Sequence, residues 1–303
     1  MISIDRANDK VIIIAPSSGM RDQEGRMNVE ASFKQLENTV KLFRDRGFKC
    51  KHYDNIFTKN KLGYLAADKN IRSLHLKKAL EDPQVKIIAA FRGGYGSGEI
   101  ALESLNIKPL GEKILIGFSD ITALHLLFNQ SYKMPSIHGM VSANFTSTLS
   151  DLFGLLSGQE NSYNLISLNA LAKNEDSIEA EVTGGNLSVY NSMIGSKLSP
   201  NIKGKILVIE DVAEPGYKVH RMLLQLQAYG AFENIRAIIF GSFSQTDQFF
   251  EDSLHQFIAD YLENVPCYQT DRIGHLENHP FVLGCKAQIS NSTFFIKSPF
   301  KMI

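Results

Sequence analysis

Residues 114–128 read ILIGFSDITALHLLF: an apolar run, a turn that carries a serine and an aspartate, and a second apolar stretch. The run Ile114–Phe118 predicts a buried strand, and the longer stretch Ile121–Phe128 predicts a helix directly after it. Strands and helices that alternate in this way form parallel α/β sheets. The stretch therefore indicates an α/β fold, and it puts Ser119 between the end of a strand and the start of a helix.

The same alternation extends towards the N-terminus. Val11–Ala15 and Val85–Phe91 predict two further strands, and Ile71–Leu80 predicts a helix. Another helix is indicated by apolar residues at three- and four-residue steps, at Val29, Phe33, Leu36, Val40 and Phe43. We therefore expect residues 1–150 to form a doubly wound, flavodoxin-like domain with a parallel sheet, whose ligands bind at the carboxyl ends of its strands.

The second half of the chain has a different pattern. Residues 151–176 are polar and weakly periodic, so we predict that they form the linker between two domains. After them come strands, helices and an alternating tail, predicted at Ile206–Ile209, Val219–Leu226, Ala237–Phe240, Phe250–Leu262 and Val282–Ile296. This mixture predicts a smaller C-terminal α+β or barrel-like domain over residues 177–303.

The composition excludes several classes of protein. Across 303 residues, 32 Lys and Arg balance 32 Asp and Glu, so no net field favours nucleic acid or an anionic membrane surface. No apolar run approaches the roughly 20 residues that cross a bilayer, and the N-terminal segment lacks the features of a signal peptide. The cysteines Cys50, Cys267 and Cys285 are odd in number and lack metal-ligand spacing. We expect a cytoplasmic protein that binds no metal, nucleic acid or membrane.

The turn Gly117-Phe118-Ser119-Asp120 has two interpretations. A sharp strand-to-helix turn can hold a serine hydroxyl above the sheet, as in a nucleophile elbow. The free N–H groups and the dipole at the start of the helix would then stabilise negative charge on a reacting oxygen. Alternatively, Ser119 or Asp120 only caps the helix. The second glycine of the elbow pattern is replaced by Ile121.

A glycine-rich turn, Arg92-Gly93-Gly94-Tyr95-Gly96-Ser97-Gly98, follows the strand Val85–Phe91. Glycine accepts positive φ and allows a ligand to approach the backbone, so the turn is a candidate for half of an oxyanion hole or for a phosphate site. It is not a Walker motif, because no Gly-Lys-Ser/Thr follows, and its strand is not the first one, as a dinucleotide fingerprint requires. A simple tight loop is the alternative.

Two neighbouring acids and two neighbouring histidines are candidates for the remaining chemistry. Glu210 and Asp211 end an apolar strand, where a carboxylate can orient a histidine or can simply be solvated. His275 and His279 lie in a predicted loop, and each is a candidate general base or a surface residue.

Two further histidines lie in the first half of the chain. His125 is expected to pack or to reach solvent from the helix after Ser119. His138, which follows an apparent strand, is a candidate for lining the ligand site.

Several motifs occur in an order that resembles one family, the LD-carboxypeptidases or muramoyl-tetrapeptide carboxypeptidases. They are Ala15-Pro16-Ser17-Ser18, Arg92-Gly93-Gly94-Tyr95-Gly96, Gly117-Phe118-Ser119-Asp120-Ile121-Thr122, Gly184-Gly185-Asn186-Leu187, Glu210-Asp211-Val212, Arg221-Met222-Leu223 and Gly274-His275. The ordered set covers nearly the whole chain. The chain departs from the usual family pattern at His220, where an acid is common, and at Gly216, where a proline is common.

The resemblance implies a serine peptidase with a triad. Ser119 would attack the scissile carbonyl, His275 would take and return its proton, and Glu210 would hold the imidazole. The oxyanion donors would be the backbone N–H of Asp120 and one N–H of the Gly93-Gly94 turn. Serine acyl transfer needs no cofactor, so none is expected.

The resemblance also implies a substrate. The family removes the terminal D-alanine from cytoplasmic muropeptides during cell-wall recycling, by cutting the bond from meso-diaminopimelate to that residue. Arg92 is then a candidate for binding a substrate carboxylate, since a guanidinium can do so in bidentate fashion, although a structural ion pair is the alternative. His138 is a second candidate for substrate contact. A homodimer is expected, as in similar families.

Two other functions stay open. The chain also resembles the microcin C self-immunity peptidases, which hydrolyse aminoacyl or peptidyl nucleotide analogues and add a loop with an aromatic residue for the base. The absence of tryptophan disfavours this alternative, although Phe or Tyr can serve. A non-catalytic α/β module that binds a small ligand through its glycine turn is the alternative from another class.

Overall fold

The computed structural model describes residues 1–141 and 146–303. The chain forms two compact units: Met1–Gly158 together with Pro299–Ile303, and Gln159–Ser298. In the described residues, no helix has both the length and the apolar character needed to cross a membrane.

The first unit alternates strands and helices. Its elements are β1 (Ile2–Ile4), β2 (Lys10–Ile14), α1 (Val29–Arg44), β3 (Lys49–His52), α2 (Lys69–Glu81), β4 (Val85–Ala90), α3 (Ser97–Glu103), β5 (Ile114–Gly117), α4 (Thr122–Leu126), β6 (Ser136–His138) and α5 (Thr146–Leu156). A 3-10 turn at Ser119–Ile121 precedes α4, and a π-helical turn at Leu127–Ser131 follows it.

The strands β3, β2, β4, β5 and β6 lie side by side in that order and run parallel. Numbered along the chain, this order is 2-1-3-4-5, the flavodoxin-like arrangement. Val11 and Ile13 on β2, like Ile87 and Ile88 on β4, have no exposed surface. Apolar side chains on both faces of a strand are typical of a parallel sheet covered by helices on both sides, and the expected fold class is confirmed.

The second unit is mixed. It contains β7 (Asn161–Asn164), β8 (Ile166–Ser167), α6 (Ala170–Asn174), β9 (Ser177–Asn186), α7 (Leu187–Ser192), β10 (Lys205–Val212), α8 (Gly216–Ala228), β11 (Ala237–Ser244), α9 (Phe250–Tyr261), β12 (Cys267–Gln269), β13 (Phe281–Leu283), β14 (Lys286–Ser290) and β15 (Thr293–Ile296). The last strand of the chain, β16 (Phe300–Met302), belongs to the first unit.

An eight-stranded, barrel-like sheet organises this unit, in the order β7-β15-β14-β9-β10-β11-β12-β8. The four central strands β9 to β12 run parallel, and the strands on both flanks run antiparallel to their neighbours. Residues Ile206–Ile209 on β10 have no exposed surface, since this strand lies near the middle of the sheet. The carboxyl end of β10 therefore brings its last residues to the edge where ligands bind in such sheets.

The structure differs from the sequence-based boundaries in two places. Residues 151–176, predicted as a linker, contain the end of α5, the strands β7 and β8, and the helix α6. Because β7 and β8 are the two edge strands of the sheet, their side chains are largely exposed and polar, which resembles a linker in the sequence. The residues Pro299–Ile303 join the first unit because β16 pairs in parallel with β1. No local sequence pattern predicts a pairing between the two ends of the chain.

Candidate active site

Ser119 lies at a sharp turn between β5 and α4. Its φ is +61°, a conformation that costs a residue with a side chain about 1–3 kcal/mol, so the surroundings must hold it. The Thr122 hydroxyl donates to the Ser119 carbonyl at 2.7 Å and closes the turn. Two residues before Ser119, a Cβ added to Gly117 would lie 2.7 Å from the Ile121 side chain, so only glycine fits there. The turn therefore has the geometry of a nucleophile elbow.

The glycine turn after β4 packs directly against Ser119. A Cβ added to Gly93 would lie 2.8 Å from the Ser119 Cβ and 3.1 Å from its Oγ. Gly94 has φ +127°, and a Cβ there would lie 2.5 Å from the Ser18 Oγ. Neither position has room for a side chain, and at Gly93 this allows the backbone of the turn to lie directly against Ser119.

Asp120 anchors the elbow through hydrogen bonds of its buried carboxylate. Its carboxylate accepts a hydrogen bond from the Ser17 hydroxyl at 2.5 Å and another from the backbone N–H of Ser97 at 2.9 Å. The Ser97 hydroxyl in turn donates to the Asp120 carbonyl. The carboxylate is buried and occupied by these bonds, so the side chain connects the elbow with the loop after β2 and the start of α3.

A histidine supports the end of β5. The buried His125 ring contacts the Gly117 carbonyl through Nε2 at 2.9 Å and the Ser136 hydroxyl through Nδ1 at 2.8 Å. Because a carbonyl can only accept, Nε2 carries the proton and Nδ1 accepts from the serine. Burial lowers the pKa of His125 to about 4, so the ring is neutral at physiological pH. Of the two alternatives for His125, packing or reaching solvent, the structure shows packing.

His138 ends β6 and is buried as well. Its ring centre lies 6.0 Å from the ring of Phe118, edge to face, and 5.6 Å from that of His125. Packing against the elbow accounts for these contacts. A contact between His138 and a substrate stays a prediction.

Two arginines lie beside the glycine turn. The half-buried Arg92 donates to the Gly19 carbonyl at 3.0 Å, and Arg21 donates to the Ser18 hydroxyl at 3.2 Å. In the part of the chain that the structure describes, neither guanidinium forms an ion pair with a carboxylate. Burial, and then the charge of Arg21, lower the pKa of Arg92. An anion at this place would relieve that repulsion.

In the second unit, Glu210 and His275 are paired. The carboxylate Oε2 lies 2.6 Å from the imidazole Nδ1, and the Glu210 side chain has no exposed surface while that of His275 is 17% exposed. A charge-assisted bond of this length fixes the ring and its tautomer, since Nδ1 must donate to a carboxylate. The other ring nitrogen, Nε2, is then the basic one. This is the arrangement of an acid that orients a general base.

Small residues bring the histidine loop to the sheet. A Cβ added to Gly274 would lie 2.0 Å from the Ser242 Oγ, and one added to Gly241 would lie 2.4 Å from the Ile273 carbonyl oxygen. The Ser242 N–H donates to that carbonyl at 2.7 Å. The loop therefore lies directly on β11, beside Glu210 on the neighbouring strand.

The structure also separates the neighbouring candidates. Asp211 accepts from the Asn186 amide at 2.8 Å and from the Ser188 N–H at 2.9 Å, so it holds the start of α7 and not a histidine. Burial first, and the charge of Glu210 second, raise the pKa of Asp211 to about 6. His279 lies 3.4 Å from Glu277 near the surface. Of these neighbouring candidates, Glu210 and His275 are therefore the two that pair with each other.

The two units divide the predicted site residues. Those in the first unit are Ser119, Gly93, Gly94, Asp120, Arg92 and His138, and those in the second are Glu210 and His275. Within the described ranges 1–141 and 146–303, no group of three or more His, Cys, Asp or Glu side chains is arranged to hold a metal ion.

The elbow, the glycine turn and the acid–histidine pair occur in a chain that matches two family models. The N-terminal domain of LD-carboxypeptidases matches residues 11–139, and the C-terminal domain of the same family matches residues 179–289. The chain belongs to the LD-carboxypeptidase family. The resemblance seen in the motifs is confirmed, and membership places the chain among the serine peptidases.

Individual LD-carboxypeptidase relatives extend the match over nearly the whole chain. A putative carboxypeptidase of Rickettsia conorii is 35% identical over 300 residues, which cover 95% of this chain and 90% of the relative. The crystal structure of muramoyltetrapeptide carboxypeptidase from Oxalobacter formigenes has a TM-score of 0.74 at 25% identity, covering 96% of this chain and 99% of that one. The microcin C7 self-immunity protein has a TM-score of 0.76 at 20% identity, covers 97% of each chain, and shows the shared fold alone.

Sequence reasoning missed several residues that hold the candidate site residues in place. The hydroxyls of Ser17 and Ser97 bind Asp120, and Asn186 binds Asp211. Ser17 and Asn186 lie in motifs of the family, and this position was the only feature of the sequence that could have marked them as part of the site. The sequence gave no signal for Arg72 on α2, whose buried guanidinium donates to the Pro16 and Gly96 carbonyls. An arginine in a helix with Lys and His neighbours is typical of a solvated face.

Proposed function

We propose that the protein is a serine LD-carboxypeptidase that releases the terminal D-alanine from cytoplasmic murein tetrapeptides. The observation that carries the proposal is the conformation of Ser119, whose φ of +61° holds its side chain at an elbow against the Gly93 backbone. A helix cap needs no positive φ, so capping alone does not explain the turn. The buried pair of Glu210 and His275 and the membership of the family support the same function.

The proposed reaction uses Ser119, His275 and Glu210 as a triad. His275 Nε2 takes the proton of the Ser119 hydroxyl as Oγ attacks the carbonyl carbon of meso-diaminopimelate. The C–N bond then breaks, and the same proton leaves with the amine of D-alanine. Water attacks the acyl-enzyme with His275 again as the base, which releases the tripeptide and restores the serine. Glu210 keeps the imidazole in one tautomer and stabilises the imidazolium in both steps.

The oxyanion of each tetrahedral intermediate is assigned to backbone N–H groups. The N–H of Asp120 lies at the start of the helical turn, where donors have no partner within the helix. The turn of Gly93 and Gly94 supplies the second N–H, because no side chain separates it from Ser119. Such donors stabilise charge that develops only in the transition state.

The substrate carries carboxylates, and the two arginines beside the glycine turn suit them. Arg92 precedes Gly93 directly in the chain, and it has a like-charged neighbour in Arg21 without a carboxylate partner in the described residues. We assign the terminal carboxylate of the peptide to Arg92, with Arg21 in support. Replacing Arg92 by methionine is expected to raise KM for the tetrapeptide. KM for the same tetrapeptide with a C-terminal amide, which has no terminal carboxylate, is expected to stay unchanged.

The test measures, by mass spectrometry, the release of D-alanine from L-Ala-γ-D-Glu-meso-diaminopimelate-D-Ala. The parent is expected to release it and Ser119→Ala to release none. Ser73→Ala is the matched control, since that exposed hydroxyl only contacts Glu103. Equal release by the parent and Ser119→Ala would remove Ser119 as the nucleophile. No release by a folded parent would favour a nucleotide-linked amide, tested with an aminoacyl sulfamoyl nucleoside, or a binding role without catalysis.

A further inference from the structure

A buried arginine lies beneath the glycine turn of the first unit. The Arg72 side chain on α2 has no exposed surface. Its Nε donates to the Ala67 carbonyl at 3.0 Å, and its Nη1 donates to the carbonyls of Pro16 at 2.6 Å and Gly96 at 2.8 Å. Its Nη2 pairs with Glu99, which is 40% exposed, at 2.7 Å. A guanidinium buried in this way is held mostly by backbone carbonyls, and only one partner is a carboxylate.

The carbonyls that Arg72 binds belong to the two loops that surround the elbow. Pro16 immediately precedes Ser17, and Gly96 immediately precedes Ser97. Ser17 and Ser97 are the residues that bind the Asp120 carboxylate. The two loops are therefore connected twice, by one arginine through their carbonyls and by one aspartate through a hydroxyl and an N–H.

The contact with Gly96 fixes the far end of the glycine turn. Gly96 has φ +115°, and a Cβ there would lie 2.7 Å from the Arg72 Nη1. The near end of the turn follows β4 directly, and the middle of the turn lies against Ser119 through Gly93. The strand and Arg72 therefore anchor the turn at both ends, and the N–H groups of Gly93 and Gly94 lie between these two anchors.

We propose that Arg72 is a positioning residue for the oxyanion donors of the Gly93-Gly94 turn. The role rests on the proposed function, since it concerns the same transition state. Arg72 contacts no substrate and acts through the Gly96 and Pro16 carbonyls. Removing one oxyanion donor lowers kcat by about 10²–10³-fold, and a displacement of about 1 Å can cost about 10²-fold. A turn that loses its anchor but keeps its donors is therefore expected to lose about 10- to 100-fold in kcat.

The experiment compares the parent with Arg72→Met, Arg72→Lys and Glu99→Gln, using D-alanine release from the tetrapeptide and thermal unfolding as a check of folding. Arg72→Met is expected to lower kcat by about 10- to 100-fold with KM within about threefold, because the substrate is bound before the oxyanion forms. Arg72→Lys is expected to recover part of kcat, since an ammonium keeps donors for the carbonyls. Glu99→Gln, which removes the ion pair and keeps the carbonyl contacts, is expected to retain parental kcat.

A tetrapeptide analogue with a boronic acid at the scissile position gives a readout that lost stability would not move. Its affinity is expected to fall by the same factor as kcat/KM in Arg72→Met, while the affinity for the tripeptide product stays constant. A folded Arg72→Met with parental kcat, or an equal loss in Glu99→Gln, would overturn the proposal. Absence of activity in the parent would instead contradict the proposed function itself.

A second variant keeps the proposal testable if the Arg72 variants do not fold. Gly96→Ala disturbs the same contact from the turn, and Gly111→Ala is its control, because Gly111 also has positive φ but has nothing within 4 Å of an added Cβ. The expected result is a loss of kcat in Gly96→Ala alone. Parental kcat in folded Gly96→Ala would overturn the proposal. So would failure of all the Arg72 and Gly96 variants to fold, because the contact would then serve folding and not position.

Discussion

Replacing Glu210 by glutamine removes the charge of the acid and keeps its size. Glu210 has no exposed surface, and its Oε2 lies 2.6 Å from the His275 Nδ1. The residue lies on β10 between Ile209 and Asp211, and glutamine has nearly the size of glutamate, so the amide occupies the same space. The perturbation is therefore confined to the charge and to the hydrogen bond with the imidazole.

The expected loss follows from the charge that would form on His275 during the proposed reaction. A carboxylate and an imidazolium with centres about 4 Å apart attract by about 4 kcal/mol at an effective dielectric constant of about 20. The attraction is absent while the ring is neutral, so it contributes to the transition state and not to substrate binding. A loss of about 4 kcal/mol corresponds to about 10³-fold in kcat, with KM nearly unchanged. A change of tautomer, with the amide donating to Nδ1, would add to this loss.

The assay is D-alanine release from the tetrapeptide under saturating substrate, with nitrogen-15 shifts of His275 as a report of the tautomer. The parent is expected to carry the proton on Nδ1. Glu179→Gln is the matched control, because Glu179 is 62% exposed and pairs only with Lys286 on the surface. The reasoning would be refuted by a folded Glu210→Gln enzyme within tenfold of the parental kcat, or by a similar loss in Glu179→Gln.

Three further outcomes are expected. Gly93→Ala places a Cβ 2.8 Å from that of Ser119 and should lower kcat by about 10²-fold in a folded protein, which parental kcat would contradict. Gly274→Ala, with its Cβ 2.0 Å from the Ser242 Oγ, should lower the free energy of unfolding by about 1–3 kcal/mol in urea, and adding Ser242→Gly should recover part of it. The pKa of His125 is lowered from 6.5 to about 4, so the unfolded chain takes up a proton before the folded one does. The contribution of His125 to the free energy of unfolding should therefore fall by about 3 kcal/mol as pH falls from 6.5 to 4. Urea titrations of His125→Gln at both pH values should lack this part of the pH dependence.

Local sequence patterns predict most of the first unit. Apolar runs and periodic stripes predict β2, β4, β5 and the helices α1 and α2, because parallel strands are buried on both faces and helices on one. The position of Ser119 follows from the same patterns. Its positive φ does not, because a strand-to-helix turn is also compatible with an ordinary cap.

Choices between neighbouring residues depend on tertiary contacts. The sequence leaves Glu210 and Asp211 equivalent at a strand end, whereas the structure puts one beside His275 and the other on the start of α7. The strand β10 has a register irregularity between Ile209 and Asp211, which no local pattern reveals. The burial of Arg72 is equally invisible, since its partners Pro16, Gly96 and Glu99 lie far away in the chain.

Three buried polar side chains of the first unit bind the backbone at turns, where apolar packing cannot fix it. Apolar side chains determine how strands and helices pack, but they do not determine the direction of a carbonyl or an N–H in a turn. Arg72, Asp120 and His125 each bind backbone groups of the turns at the carboxyl ends of β2, β4 or β5. All three side chains are buried, and leaving a buried polar group without its hydrogen-bond partner costs about 1–3 kcal/mol. The folded state therefore retains these hydrogen bonds. Asp120 and His125 bind the elbow itself, through Ser97 and through the Gly117 carbonyl, and these bonds help a turn with the unfavourable φ of Ser119 to keep one conformation.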